Sequence, residues 1–360
     1  MSRNTRKSLP KPLNIGVMGC GGIARQFVAA LAGNLHVTVA AAASRDLAKS
    51  AAFTKEFGIA TPYGSYEALM ADPDLDILYV PLPNSMHAEW VVKAAQSGKH
   101  VLSEKPLALN QAEAQAMFAA ARANGVMLLE AYPFWFQPQT RDMMDLIHNG
   151  AIGEVRHVQA SFGFNLQNGA GNIRMNPDMG GGALLDAGSY AMSLIRLALP
   201  GRPERVSAQS HWADNSANAP AGRGVDIGTS ATLWYAGGRS AQLHCAMNVG
   251  YHRLATILGS NGVIETEFLN HTTAKVPHPL NYLPSLMRVR KGFGNATPFV
   301  DVQSATGSGF AFCAEAFAKV IREKDFAAIA RAEAASVDIA ATLAAIAQSA
   351  KLGAPVGVAA

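Results

Sequence analysis

The sequence predicts an α/β protein in two parts, an N-terminal doubly wound sheet followed by an α+β domain with a large, mostly antiparallel, open sheet. Three observations carry this expectation. Strand-like apolar runs alternate with helical stretches up to Leu129, the pattern of a parallel sheet wrapped by helices. From about residue 136 strand-like runs dominate and follow one another with turn residues between them. With 360 residues, 49% hydrophobic and 16% charged, the chain can fill two cores. The expected division is an arm at residues 1–12, a first domain at 13–135 and a second at 136–360.

The first strand, Asn14 to Met18, runs directly into Gly19-Cys20-Gly21-Gly22-Ile23-Ala24, a helical stretch from Arg25 to Leu31 and a second strand from Val37 to Ala43. Gly19 permits the tight strand-to-helix turn, Gly21 lets backbone N–H groups approach a pyrophosphate, and Ala24 allows close helix-strand packing. The helix N-terminus adds partial positive charge. Together these form a dinucleotide grip in a Rossmann setting. An NAD site usually places a carboxylate at the end of the second strand, whereas this chain reads Ala43-Ser44-Arg45. Ser44 and Arg45, with Lys49 one turn further on, suit a 2′-phosphate, so NADP is the expected cofactor. The alternative is that Arg45 and Lys49 are only the solvated first turn of a helix.

Next come a helix ending near Phe57, a short helix from Tyr66 to Met70 and the strand Ile77 to Val80, closed by Pro81-Leu82-Pro83. A helix from His87 to Gln96, the strand His100 to Leu102, a helix from Gln111 to Ala123 and the strand Val126 to Leu129 complete the first domain. Ligands of such sheets sit beyond the carboxyl ends of the strands, where Gly19, Ser44, Pro81 to Asn84 and Glu104 to Pro106 all fall. The second domain should hold helices at Thr140 to His148 and Leu184 to Leu199, and strands at Val155 to Phe164, Val206 to Trp212, Gly228 to Tyr235, Ser240 to Asn248, Ala255 to Leu258 and Val263 to Phe268. A poorly patterned stretch, Thr272 to Gly309, precedes closing helices at Phe310 to Arg322 and Ala332 to Ala350.

The net charge of +4 is modest and densest in Arg3, Arg6, Lys7 and Lys11, which indicates no nucleic-acid face. That leader has no apolar core and no later stretch is long and apolar enough to span a bilayer, so a cytoplasmic protein is expected. Cys20, Cys245 and Cys313 lack metal or disulfide spacing, and no metal is expected. An uncovered apolar sheet face would call for a homo-oligomer, a dimer or a dimer of dimers.

Lys105 leaves the buried strand at its ligand-binding edge, where its ammonium can bond a hydroxyl and lower the pKa of a neighbouring acid. Asp186 and Tyr190 lie four apart on one helix, after Gly180-Gly181-Gly182, glycines that would let the helix start approach a ligand. From the residues alone Tyr190 is equally a core aromatic or a catalyst, and Asp186 could merely serve its helix's first turn.

Met18-Gly19-Cys20-Gly21-Gly22-Ile23-Ala24, Pro83-Asn84 with His87, Ser103-Glu104-Lys105-Pro106-Leu107-Ala108, Ile152-Gly153-Glu154-Val155 and the segment from Gly180 to Tyr190, in this order, resemble the glucose–fructose oxidoreductase, inositol dehydrogenase and MocA-type superfamily. Asp186 with Tyr190 resembles its branch of glucose–fructose and aldose–aldose oxidoreductases, NADP-dependent xylose dehydrogenase and dihydrodiol dehydrogenase. The resemblance implies that Lys105 and Tyr190 are the catalytic pair, that Asp186 binds substrate hydroxyls, and that Leu82, Pro83, Asn84, His87 and Glu104 line the nicotinamide side. Gly22, Ile23 and Lys105 join the cofactor set, and Tyr282 is a further candidate. Trp135 stands where many relatives carry a basic residue, and either stacks on a sugar or packs between the domains. Arg174 and His271 are candidate substrate contacts. The expected activity is NADP-dependent oxidation of aldoses at the pyranose C1 hydroxyl to aldonolactones, with a tightly held cofactor returning hydride to a second aldose to give an alditol. The alternatives are a xylose or dihydrodiol dehydrogenase with exchangeable cofactor, and a non-catalytic NADP-binding sensor. The basic arm either lies along the cofactor or is a disordered terminus.

Overall fold

The structure is a computed structural model and describes residues 10–167, 169, 171–213, 224–268, 286–294 and 296–358. Its first part alternates β1 (Leu13–Met18), α1 (Gly22–Ala30), β2 (Val37–Ala43), α2 (Leu47–Phe57), β3 (Thr61–Tyr63), α3 (Tyr66–Met70), β4 (Ile77–Val80), α4 (His87–Gln96), β5 (His100–Glu104), α5 (Gln111–Ala123) and β6 (Leu128–Ala131). The strands pair in the order β3-β2-β1-β4-β5-β6, all parallel. Sequence order reverses between β1 and β4, so the loops after these strands open on a crevice at the switch point. Local chemistry sets the helix starts. Ser65 Oγ accepts from Ala68 N, and Asn110 Oδ1 accepts from Glu113 N, each satisfying a first-turn donor. The edge strand β3 is missing from the sequence reading because Thr61-Pro62-Tyr63 is too short to alternate and has a central proline.

The second part contains α6 (Pro138–His148), β7 (Val155–Asn165), a π-helical turn (Leu184–Gly188) running into α7 (Ser189–Ala198), β8 (Arg205–Trp212), β9 (Asp226–Trp234), β10 (Ser240–Ala246), β11 (Asn248–Gly259), β12 (Gly262–Glu267), β13 (Leu286–Lys291), β14 (Val300–Asp301), α8 (Gly309–Glu323), α9 (Phe326–Leu352) and β15 (Val356–Gly357). Among the described residues the strands form one sheet, ordered β14-β13-β12-β11-β7-β10-β9-β8-β15. Its pairs are antiparallel except β7 with β10. Val158, Ala160 and Phe162 of β7 point to the inner face, where they share a core with Leu184, Tyr190 and Leu194.

The outer face corrects one expectation. It is polar, with Gln159, Ser161, Ser230, Thr232, Gln242 and His244 lining a shallow hollow of about 1070 Å³. Alternation along the strands sends most apolar residues inward and leaves mainly hydrogen-bonding side chains outside, with Leu254 exposed among them, so a contact between copies through this face would be largely polar.

The closing helices bind the two parts together. Phe310, Cys313 and Phe317 of α8 pack with Phe27 and Tyr79 on one face of the parallel sheet. On the other face lie Val337 and Ala340 of α9, while Ile339, Leu343 and Ile346 of the same helix enter the core of the large sheet. A helix apolar on several sides is one buried between layers. All three cysteines are free. Among the described residues no helix is long and apolar enough to cross a membrane.

Candidate active site

At the cofactor end of the crevice Gly19 has φ +108°, a conformation that favours glycine, and a Cβ there would sit 3.1 Å from Leu82 Cδ2. Its N–H donates to Ala43 O at 2.8 Å, fixing the turn against β2. Added Cβ atoms at Gly21 and Gly22 would meet nothing within 4 Å, and no side chain among the described residues caps α1. The start of α1 is therefore uncapped and unobstructed at its glycines, where a pyrophosphate could approach. Ile23 is half-buried and Ala24 fully buried, and both pack toward the sheet.

Ser44 and Lys49 line a cavity of about 290 Å³ together with Cys20, Arg25 and Ala52. Arg45 is exposed outside that lining. Sequence reading passed over Arg25, whose guanidinium lies 5.4 Å from the Phe53 ring centre and pairs with Glu56. The available signal was a cation near a helix N-terminus, where it opposes the helix dipole. A hydroxyl with two cations in one cavity fits a 2′-phosphate.

Further along the crevice, the turn that carries Lys105 is held at three successive residues by buried side chains. Lys105 N donates to Glu104 Oε2 at 3.3 Å, His87 Nδ1 meets Pro106 O at 2.8 Å, and Leu107 N donates to Glu130 Oε1 at 2.8 Å. His87 does not line the nicotinamide side as expected. It is wholly buried, and its other ring nitrogen meets Leu82 O at 2.8 Å, so it ties the Pro81 to Asn84 loop to the lysine's turn. Burial pushes its pKa below the usual imidazole range, although two carbonyl partners favour the charged ring. Glu104 is a support too. It accepts from the Tyr79 hydroxyl at 2.6 Å, and burial pushes its carboxyl up against that bond and the Lys105 charge. Glu130 was missed from sequence, although it is the one charged residue in the apolar run Val126-Met127-Leu128-Leu129-Glu130-Ala131.

The second part supplies Asp186 on the π-helical turn and Tyr190 at the start of α7, so the two do not share one regular α-helix. The preceding glycines answer to the protein's own packing, which corrects the expectation that they admit a ligand. Gly182 has φ +115°, and a Cβ there would fall 2.2 Å from Asp226 Oδ1, while one at Gly181 would fall 2.5 Å from Arg174 O. Buried Asp226 accepts from Leu184 N at 2.8 Å and so anchors the turn. Asn84 Nδ2 donates to Gly180 O at 2.8 Å, joining the Pro83 loop to this segment.

Both oxygens of the Asp186 carboxylate are engaged. Lys105 Nζ donates to Oδ1 at 3.0 Å and to the Asp186 carbonyl at 2.8 Å, and Arg174 Nε donates to Oδ2 at 2.6 Å. Burial works to raise this carboxyl, but the charges of Lys105 and Arg174 outweigh it and hold it at about 2. The same ammonium stands 4.5 Å from the centre of the Tyr190 ring. That ring packs against Phe162, Tyr132 and Phe134 at 5.4, 5.9 and 6.1 Å, so Tyr190 is a core aromatic by its ring whatever its hydroxyl does. Lys105 does not bring the phenol down as expected. Burial, with the charges of Glu104 and Asp186, pushes it well above its ordinary value, so at neutral pH it is a proton donor.

Phe134-Trp135-Phe136 packs throughout. Phe134 is fully buried, Phe136 joins the core of the parallel sheet, and half-buried Trp135 stacks on Tyr132 at 5.0 Å and 26°. His271, Tyr282 and residues 1–9 of the arm lie outside the described residues.

Residues 13–132 match an oxidoreductase family with an NAD-binding Rossmann fold, and residues 140–265 match the GFO/IDH/MocA C-terminal domain. The chain belongs to the GFO/IDH/MocA oxidoreductase family. It is an enzyme with a dinucleotide-binding domain, which sets aside the sensor reading. It is 34% identical over 342 residues to D-xylose 1-dehydrogenase (NADP(+)) 2 of Haloferax volcanii, a match covering 95% of this chain and 98% of that one. A 3-ketoreductase from Actinomadura kijaniata, solved with NADP and TDP-benzene, superposes with a TM-score of 0.77 and 32% identity over 91% of this chain and 96% of that one. An aldose–aldose oxidoreductase from Caulobacter crescentus, complexed with glycerol, gives a TM-score of 0.82 and 25% identity over 96% and 99% of the two chains.

Proposed function

We propose that this enzyme is an NADP-dependent oxidoreductase that oxidises aldoses at the pyranose C1 hydroxyl to aldonolactones. The observation that carries the reading is the junction of the two parts, where Lys105 bonds Asp186 at 2.8 and 3.0 Å with the Tyr190 ring 4.5 Å from the same ammonium. Likeness to an NADP-dependent xylose dehydrogenase and an aldose–aldose oxidoreductase supports it. A bound nicotinamide supplies the hydride acceptor in oxidation and the donor in reduction. Asp186, held anionic, accepts from sugar hydroxyls, and Lys105 and Arg174 donate to sugar oxygens, so one charged cluster orients the ring. In reduction Tyr190 gives its hydroxyl proton to the carbonyl oxygen as hydride reaches the carbon. In oxidation C1 loses hydride, its hydroxyl proton passes to Tyr190 in the phenolate form, and the Lys105 ammonium steadies that charge.

The test sets purified enzyme against aldoses and dihydrodiols with NADP or NAD. Aldonate formed from aldoses with NADP supports the reading, whereas turnover confined to dihydrodiols, or none with any substrate, overturns it. In its finer form the enzyme keeps its cofactor and reduces a second aldose to an alditol, so an aldose mixture should yield aldonate and alditol with no NADP added. A need for added NADP at every turnover reduces the enzyme to a simple dehydrogenase. We also propose a homodimer, tested by light scattering.

A further inference from the structure

Glu130 is a buried ionisable group that the catalytic scheme does not use. It stands near the end of β6, 2% exposed, with Oε1 receiving Leu107 N at 2.8 Å. Leu107 is two residues from Lys105, so this bond fixes the far side of the lysine's turn. The other oxygen, Oε2, has no hydrogen-bond partner among the described residues, nor do the buried hydroxyls of Tyr132 and Ser336, which both act on the titration of this carboxyl. Ser189, beside Tyr190 in sequence, donates to Asp186 O at 3.1 Å, the carbonyl that also receives Lys105 Nζ. The Tyr132 ring meets Tyr190 edge to face at 5.9 Å and 76°. One carboxyl therefore holds the turn bearing Lys105, and Tyr132, two residues along the chain, packs its ring on Tyr190. Ser336 brings the closing helix α9 to the same point.

We propose that Glu130 is a positioning residue, whose carboxyl sets Lys105 against Asp186 and Tyr190 by holding Leu107 N in the turn that carries the lysine. It touches neither substrate nor cofactor. A buried carboxyl placed only for packing would be replaceable by an apolar residue of similar shape, whereas this one is the acceptor for a buried backbone N–H beside the catalytic lysine. The proposal rests on the reading of Lys105 and Tyr190 as the catalytic pair.

The test compares Glu130→Leu, Glu130→Gln and Lys105→Ala by kcat, sugar KM and NADPH affinity. NADPH affinity reports the fold, because the cavity of Ser44 and Lys49 does not include β6. Glu130→Leu should lower kcat by about 10²-fold, the effect of an ångström-scale misplacement, with NADPH affinity unchanged. Glu130→Gln keeps an oxygen for Leu107 N and should stay within a few-fold of the native kcat. A Glu130→Leu variant with native kcat beside an inactive Lys105→Ala overturns the proposal alone. Glu130→Gln as inactive as Glu130→Leu, with NADPH bound normally, also overturns it, since the acceptor would then not be what matters. Lys105→Ala with native kcat overturns the catalytic reading and this proposal together. If Glu130→Leu does not fold, Glu130→Met decides, a several-fold or larger loss of kcat at unchanged NADPH affinity supporting the proposal and an unchanged kcat overturning it.

Discussion

Replacing Glu130 with Gln should remove a dependence of stability on pH that the native enzyme carries. Burial pushes this carboxyl from 4.5 up to about 7, against the opposing influence of Ser336, Leu107 N, Tyr132 and Lys105. The unfolded chain gives up the proton near 4.5, whereas the folded chain keeps it until about 7. Between those values the native state binds more protons than the unfolded state, so stability falls as pH rises through the window and levels off above it. A displacement of this size is worth about 3 kcal/mol. Asp186 works in the opposite sense, since its carboxyl, held at about 2, contributes stability above 3.8 that is lost on acidification. That loss lies below the window and is common to both proteins. The assay is urea unfolding of native enzyme and Glu130→Gln across the window, with equal m values required. The variant should gain about 3 kcal/mol on the native enzyme between the acid and alkaline ends. Parallel stability curves for the two proteins would refute the reasoning.

Tyr190→Phe should lower kcat by about 10²–10⁴-fold with sugar affinity largely kept, and a variant retaining a tenth of native turnover removes Tyr190 from the proton-transfer role. Because burial pushes the Tyr190 phenol well above 10, sugar oxidation by the native enzyme should climb with pH and reach no plateau below that value, which a pH–rate profile reads directly. Arg25→Ala should weaken NADP by about 1.5–3 kcal/mol and leave NAD nearly unchanged, with a smaller effect from exposed Arg45→Ala; equal weakening of both cofactors in calorimetry contradicts the phosphate assignment. Gly182→Ala forces a Cβ into a positive-φ site 2.2 Å from Asp226 Oδ1, and should lower thermal stability and turnover together, an unaltered melting curve counting against the packing argument.

What the sequence determined by itself is what acts over a few residues. The alternation of strands and helices, the ends of α3, α4 and α5, the glycine turn after β1 and the absence of a carboxylate after Ala43 depend on neighbours in the chain, and each was legible there. Lys105, Asp186 and Tyr190 could be singled out because their motifs are contiguous. Tertiary structure decided which partner each side chain meets. Glu130 meets Leu107 N from 23 residues away, and Leu184 N, which starts the π-helical turn, is held by Asp226 from 42 residues away. His87, read as a cofactor contact, became a buried brace because the carbonyls of Leu82, five residues away, and of Pro106, nineteen away, close on its ring. The Tyr190 phenol rose instead of falling because burial, with the charges of Glu104 and Asp186 brought close by the fold, works against its anion. Burial and charge pairing follow from how separate segments meet, and that meeting is written in no local pattern.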